Sequence, residues 1–73
     1  MAASVAMLDV RDMMCAQALA LVAEAVRRAA AGASIEVRYN AEDVRRDLEV
    51  WAKERGHGVR EQGTNLLRIQ RSA

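Results

Sequence analysis

From Ser34 to Tyr39 the chain alternates without a break: Ile35, Val37 and Tyr39 fall on one side, Glu36 and Arg38 on the other. Side chains of a strand point to opposite faces in turn, so this run reads as a strand with one dry and one wet face. On both sides of it the apolar period changes. Over Cys15 to Ala30, Leu19, Val22, Val26 and Ala29 or Ala30 recur at helical spacing, opposite Gln17, Glu24, Arg27 and Arg28. Val44, Leu48 and Trp51 form the apolar face of a second helix ending near Arg55, while Asp43, Arg46, Glu49, Lys53 and Glu54 are solvated. A strand between two amphipathic helices constrains the fold more than any other feature of the chain.

The punctuation agrees with these elements. The sequence has no proline and four glycines. Gly32 follows the first helix and Gly56 the second, the usual place for a glycine past a helix end. Asn40 is the expected N-cap of the second helix, with Asp43 three residues on as a relative of the capping box. Three further strands complete the chain: Val5 to Val10, Gly58 to Gln62, and Asn65 to Arg71 after a Gly63-Thr64 turn. In the first, Ala6, Leu8 and Val10 share a face. In the last, Leu67 and Ile69 oppose Leu66, Arg68 and Gln70.

The predicted order is β-α-β-α-β-β. Right-handed crossovers put both helices on one face of the sheet. The expected fold is therefore a two-layer α/β (α+β) sandwich of two helices on four strands. Its open face carries Glu36, Arg38, Arg68 and Gln70 and can meet water. Residues 1–73 make a single domain. Aromatics are limited to Trp51 and Tyr39, so Leu, Val, Ile, Met and Ala must build the core.

Composition narrows the function. The formal net charge is +1 with both signs interspersed, which makes nucleic acid an unlikely partner. The arginines Arg38, Arg60 and Arg68 on the open face, interleaved with Glu36 and Glu61, read as solvated rather than as an RNA site. The stretch from Ala16 to Val26 is too short to span a bilayer, so no membrane insertion is expected. Met1 to Val5 lacks the pattern of a signal peptide. A single cysteine excludes an internal disulfide and suits a reducing compartment, with the cytoplasm the expected location. No metal site is expected from one cysteine and one histidine, and His57, between two glycines, belongs to the turn after the second helix.

That cysteine, Cys15, opens the first helix. Backbone N–H groups there lack helical partners and the helix dipole is positive, a setting that favours thiolate. Two uses are open. Cys15 is a nucleophile or covalent carrier that needs no general base, or it is a small hydrophobe on the core-facing stripe one turn ahead of Leu19. Asp9 and Arg11 can pair and brace the junction, or merely be solvated. Asp12, three residues ahead, opposes a thiolate wherever its carboxylate comes close. Met13 and Met14 offer a soft contact surface, with at least one of them filling core.

Leu8-Asp9-Val10-Arg11 through Cys15 resembles the opening signature of the TusA/SirA-like sulfur-carrier proteins, Leu-Asp-x-Arg-Gly-x-x-Cys-Pro-x-Pro. Val44 to His57 resembles that family's Arg-Asp-Ile-Pro-x-Trp-…-Gly-His helix through Arg46, Asp47, Trp51, Gly56 and His57. The resemblance implies a mixed four-stranded sheet and a persulfide carried on Cys15, with Asp9, Arg11, Asp12 and Met14 supporting its loop. It implies no cofactor. The implied partners are a cysteine desulfurase, a rhodanese or another sulfurtransferase upstream, and a sulfur acceptor protein downstream. The alternative is a non-catalytic regulatory or interaction module on the same fold. The chain departs from the pattern at Asp12, in the glycine position, and at Ala16, Ala18 and Glu49, in proline positions.

Overall fold

The computed structural model describes residues 6–72; Val5, read above as the start of the first strand, lies outside them. The elements are β1 (Ala6–Asp9), α1 (Cys15–Arg28), β2 (Ser34–Arg38), α2 (Glu42–Glu54), β3 (Gly58–Gly63) and β4 (Leu66–Gln70). They form one mixed sheet in the order β1-β2-β4-β3. β1 is parallel to β2, and β4 is antiparallel to both β2 and β3. The sandwich of two helices on four strands expected from the periodicity is the fold observed.

The alternation in β2 explains the layering. Ile35 and Val37 are buried against the helices, with Leu67 and Ile69 from β4 beside them in register. Val22 and Val26 of α1 and Val44 and Leu48 of α2 close the core from above. Two alanines join it: Ala18 and Ala52 are fully buried, and their size lets the helices approach the sheet closely.

Several boundaries differ from the sequence reading by one or two residues: β1 ends at Asp9, β2 at Arg38, β3 at Gly63 and β4 at Gln70. Three further differences each have a plain physical reason. α1 ends at Arg28 rather than Ala30. The Ala29 N–H turns back to the carbonyls of Ala25 and Val26, and the Arg71 guanidinium covers the carbonyls of Val26, Arg27 and Ala29. A cation reaching the exposed carbonyls of a helix end serves the same need as a glycine cap. β4 begins at Leu66, because Asn65 adopts φ 57° in the turn. The N-cap of α2 is Ala41, without a side-chain cap; Asn40 is engaged elsewhere.

The connectivity fixes where the helices begin. β1, β2 and β3 all run the same way, because β2 and β3 are each antiparallel to β4. Both crossover helices therefore start at the same end of the sheet, beyond the carboxyl ends of β1 and β2. The start of α1 lies beside the start of α2.

Candidate functional site

Cys15 is the first residue of α1. Its backbone leaves β1 through a short loop in which every polar side chain has a task. Asp9 and Arg11 form a two-pronged pair: Arg11 Nε donates to Asp9 Oδ1 at 2.9 Å, and Arg11 Nη2 to Asp9 Oδ2 at 2.7 Å. The Arg11 N–H also donates to Asp9 Oδ1, at 3.0 Å. These contacts hold the Asp9 carboxyl down at about 2, chiefly through the side-chain hydrogen bond from Arg11. Of the two readings open for these side chains, pairing is the one observed.

Asp12 stands at φ 63°, the left-handed region that glycine enters most freely. A residue with a side chain is strained there unless something holds it. Asn40, at the end of β2, does so. Its Oδ1 accepts the Asp12 N–H at 2.9 Å, and its Nδ2 donates to Asp12 Oδ1 at 2.7 Å. Asn40 is thus a clasp between two loops rather than the cap of α2. Removing it as Asn40→Ala is expected to cost about 1 kcal/mol, a net value typical of exposed hydrogen bonds. Urea unfolding checks the cost, and faster amide exchange at Asp12 locates it. An unchanged midpoint with unchanged exchange would mean that the clasp holds nothing.

The two methionines divide their roles. Met13 packs against the core, whereas Met14, the N-cap of α1, is 75% exposed and projects beside Cys15. Gln17 reaches back to accept the Met14 N–H at 3.4 Å.

Cys15 itself is half-buried, in contact with the core edge. The expectation of a favoured thiolate is not met. The thiol is pushed up to about 11, first by hydrogen bonding to the Asp47 carboxylate, then by desolvation and by Asp43. The helix start alone would favour the anion, but two carboxylates one turn apart on α2 outweigh it. Asp12 is not the source of the opposition. Its carboxylate faces Asn40, and the opposing charges come from the neighbouring helix. Sequence reading had placed Asp43 on the solvated face of α2. The signal was present in the topology: parallel helices start side by side, and residues 43 and 47 share one face at i, i+4 spacing.

Three carboxylates at this end are not neutralised. Among the described residues, ion pairs engage Asp9, Glu24, Glu42 and Glu49, but not Asp12, Asp43 or Asp47. The mouth around Cys15 thus combines a thiol, an exposed thioether and unpaired negative charge.

His57 is not brought to Cys15. It follows the far end of α2, where its N–H donates to the Ala52 carbonyl at 2.8 Å and its Nδ1 accepts the Ser72 N–H at 3.1 Å. Its ring tilts against Trp51 with centroids 5.4 Å apart. Among the described residues, no group of three or more His, Cys, Asp or Glu side chains is placed to hold a metal ion. No helix among them is long and apolar enough to cross a membrane.

Comparison with curated proteins and with solved structures returned no match. Comparison with protein families did: the family described as Sulfurtransferase TusA matches residues 6–71, from the first residue of β1 to just past β4. A match over nearly the whole chain, on the fold and element order described above, places this protein in the TusA sulfurtransferase family, whose members act as sulfur carriers in protein relays.

Proposed function

We propose that the protein accepts and donates sulfur as a persulfide on Cys15, between a sulfur-donating protein and an acceptor protein. The observation that carries this reading is the presentation of Cys15: a half-buried thiol on the first helical residue, beside an exposed Met14 that a partner surface can cover. The TusA family match supports it. A cysteine desulfurase, a rhodanese or another sulfurtransferase fits the donor role, because each delivers sulfur from a cysteine persulfide. The lone free thiol suits a reducing compartment, and the cytoplasm is the proposed location.

The chemistry follows from the thiol's neighbours. At rest the Cys15 thiol, pushed up to about 11 by the Asp47 and Asp43 carboxylates and by desolvation, holds its proton. In the transfer its proton passes to the Asp47 carboxylate while the sulfur attacks the outer sulfur of the donor's persulfide. A new S–S bond forms at Cys15 and the donor's S–S bond breaks. The donor cysteine leaves as thiolate and recovers the proton. One sulfur atom moves, and no external oxidant or reductant is consumed. Delivery repeats the step in reverse order with the acceptor's thiol.

The competing reading is an interaction module that binds partners without transferring sulfur, and the resting thiol favours it. Mass spectrometry separates the two. After incubation with a cysteine desulfurase and cysteine, the carrier gains about 32 Da on Cys15, one sulfur as persulfide. Cys15→Ser gains nothing while still binding the desulfurase. A wild-type protein that binds but never gains the mass is a module, and the carrier reading fails.

A further inference from the structure

The open face of the sheet, away from both helices, carries a feature that sulfur transfer does not use. In the register of β3 and β4, Arg60 stands directly opposite Arg68. Like charges directly opposed across a sheet destabilise it. Neither arginine forms an ion pair with a carboxylate among the described residues, whereas Arg11, Arg27, Arg28 and Arg45 each do. Glu36 stands opposite Arg68 from β2 but forms no ion pair with it, and Glu61, next to Arg60 in the chain, gives no relief. It is in register with Leu67, which is buried under the helices, so it belongs to the other face.

The two arginines border a concavity of about 340 Å³, with Ser34, Gln62 and Gln70 around it. This is the lower end of the size range of small-molecule sites. Guanidinium groups match phosphoryl oxygens with paired N–H donors. An anion seated between Arg60 and Arg68 turns their mutual repulsion into a shared attraction, and the Ser34 hydroxyl and Gln62 amide beside it can donate further hydrogen bonds, while the Gln70 amide nitrogen is engaged by the Gly32 carbonyl.

We propose that this concavity binds a small phosphorylated ligand whose phosphoryl oxygens bridge Arg60 and Arg68. A polynucleotide fits the same face less well. Glu36 lies in the same cross-sheet row, opposite Arg68 from β2, and interrupts any track of positive charge. The third arginine, Arg38, stands one row away opposite Leu66, with its Nη2 on Met7 Sδ at 3.8 Å. The site lies across the sheet from the helix layer that carries Cys15, so it stands or falls independently of the sulfur chemistry.

Pyrophosphate is the probe, titrated into the full chain at constant ionic strength and followed by amide NMR. The expected result is saturable shifts confined to Gly58–Gln62, Leu66–Gln70 and the neighbouring Ser34. Arg60→Gln should weaken binding about tenfold or more, the loss of a charge-assisted hydrogen bond. It should also raise the melting temperature of the free protein, since it removes one of two opposed charges. That rise excludes misfolding as the cause of lost binding. Linear shifts matching those of added sodium chloride, or an Arg60→Gln variant that titrates like the wild type, overturn the proposal. So does a single-stranded RNA oligomer that binds this face more tightly than pyrophosphate at equal salt.

Discussion

Replacing Asp43 and Asp47 together by asparagine is expected to raise the rate of Cys15 alkylation at pH 7 by roughly threefold. With the thiol at about 11, thiolate at pH 7 is roughly one molecule in ten thousand. Amides in place of the carboxylates remove the charge that opposes ionisation but leave the desolvation. A return of about one unit, the rest of the rise staying with the desolvation, gives roughly tenfold more thiolate. A less basic thiolate is intrinsically less nucleophilic, with a Brønsted slope of about 0.4–0.5, and this takes back roughly a factor of three. The net rise is therefore smaller than the change in ionisation. Iodoacetamide kinetics from pH 6 to 11 read both effects, because the midpoint gives the pKa and the alkaline plateau the intrinsic reactivity. A wild-type midpoint at or below 9, or a double variant that leaves it unmoved, would falsify the assignment of Asp43 and Asp47.

The same proton leaves a mark on stability, with a definite sign. The folded pKa lies above the ordinary value of 9.0. Between those two values the folded state holds a proton that the unfolded chain has released. Stability tied to Cys15 is therefore fully present below about 9 and is lost as pH rises toward about 11. In the double asparagine variant this alkaline loss shrinks. The neutral-pH consequence bears on function. A resting carrier with a protonated thiol is protected from stray oxidants, which attack thiolates first.

The distance between sequence and site is visible in particular residues. Ile35, Val37, Leu67 and Ile69 are where alternation puts them, because a strand's faces are set by local geometry. Cys15 opens its helix as expected. What local pattern could not carry is the pairing of groups far apart in the chain. Asn40 has the chemistry of a helix cap, and only the closeness of the β1–α1 loop turns it toward Asp12, 28 positions away. Asp47 was legible as part of a family motif and Asp43 as a solvated charge. Their effect on Cys15 arises from the parallel arrangement of α1 and α2. Arg71 likewise covers the end of α1 from beyond β4, a contact that no window of periodicity contains.

Leu48→Ala is expected to be the most destabilising of the substitutions considered, and its effect should reach the thiol. Leu48 is fully buried, with 0% of its surface exposed, in the face of α2 that packs on the core. Truncating a buried leucine to alanine costs about 2–5 kcal/mol, the transfer of the lost atoms plus the cavity they leave. For a domain of this length each kcal/mol lowers Tm by about 4–8 °C, so the expected fall is at least about 8 °C. Leu48 follows Asp47 directly and lies one turn after Val44, so it is the anchor that presses the first turns of α2 against the sheet. Loosening that anchor lets Asp43 and Asp47 draw away from Cys15, and the alkylation midpoint should fall toward 9. Val26→Ala is the matched control. It also removes buried volume, but at the far end of α1, three turns from Cys15. It should lower Tm and leave the thiol unchanged. If both variants shift the midpoint alike, general loosening sets the thiol's reactivity and the α2 carboxylates do not. If only Leu48→Ala shifts it, the packing of one leucine on the sheet is what keeps Cys15 protonated.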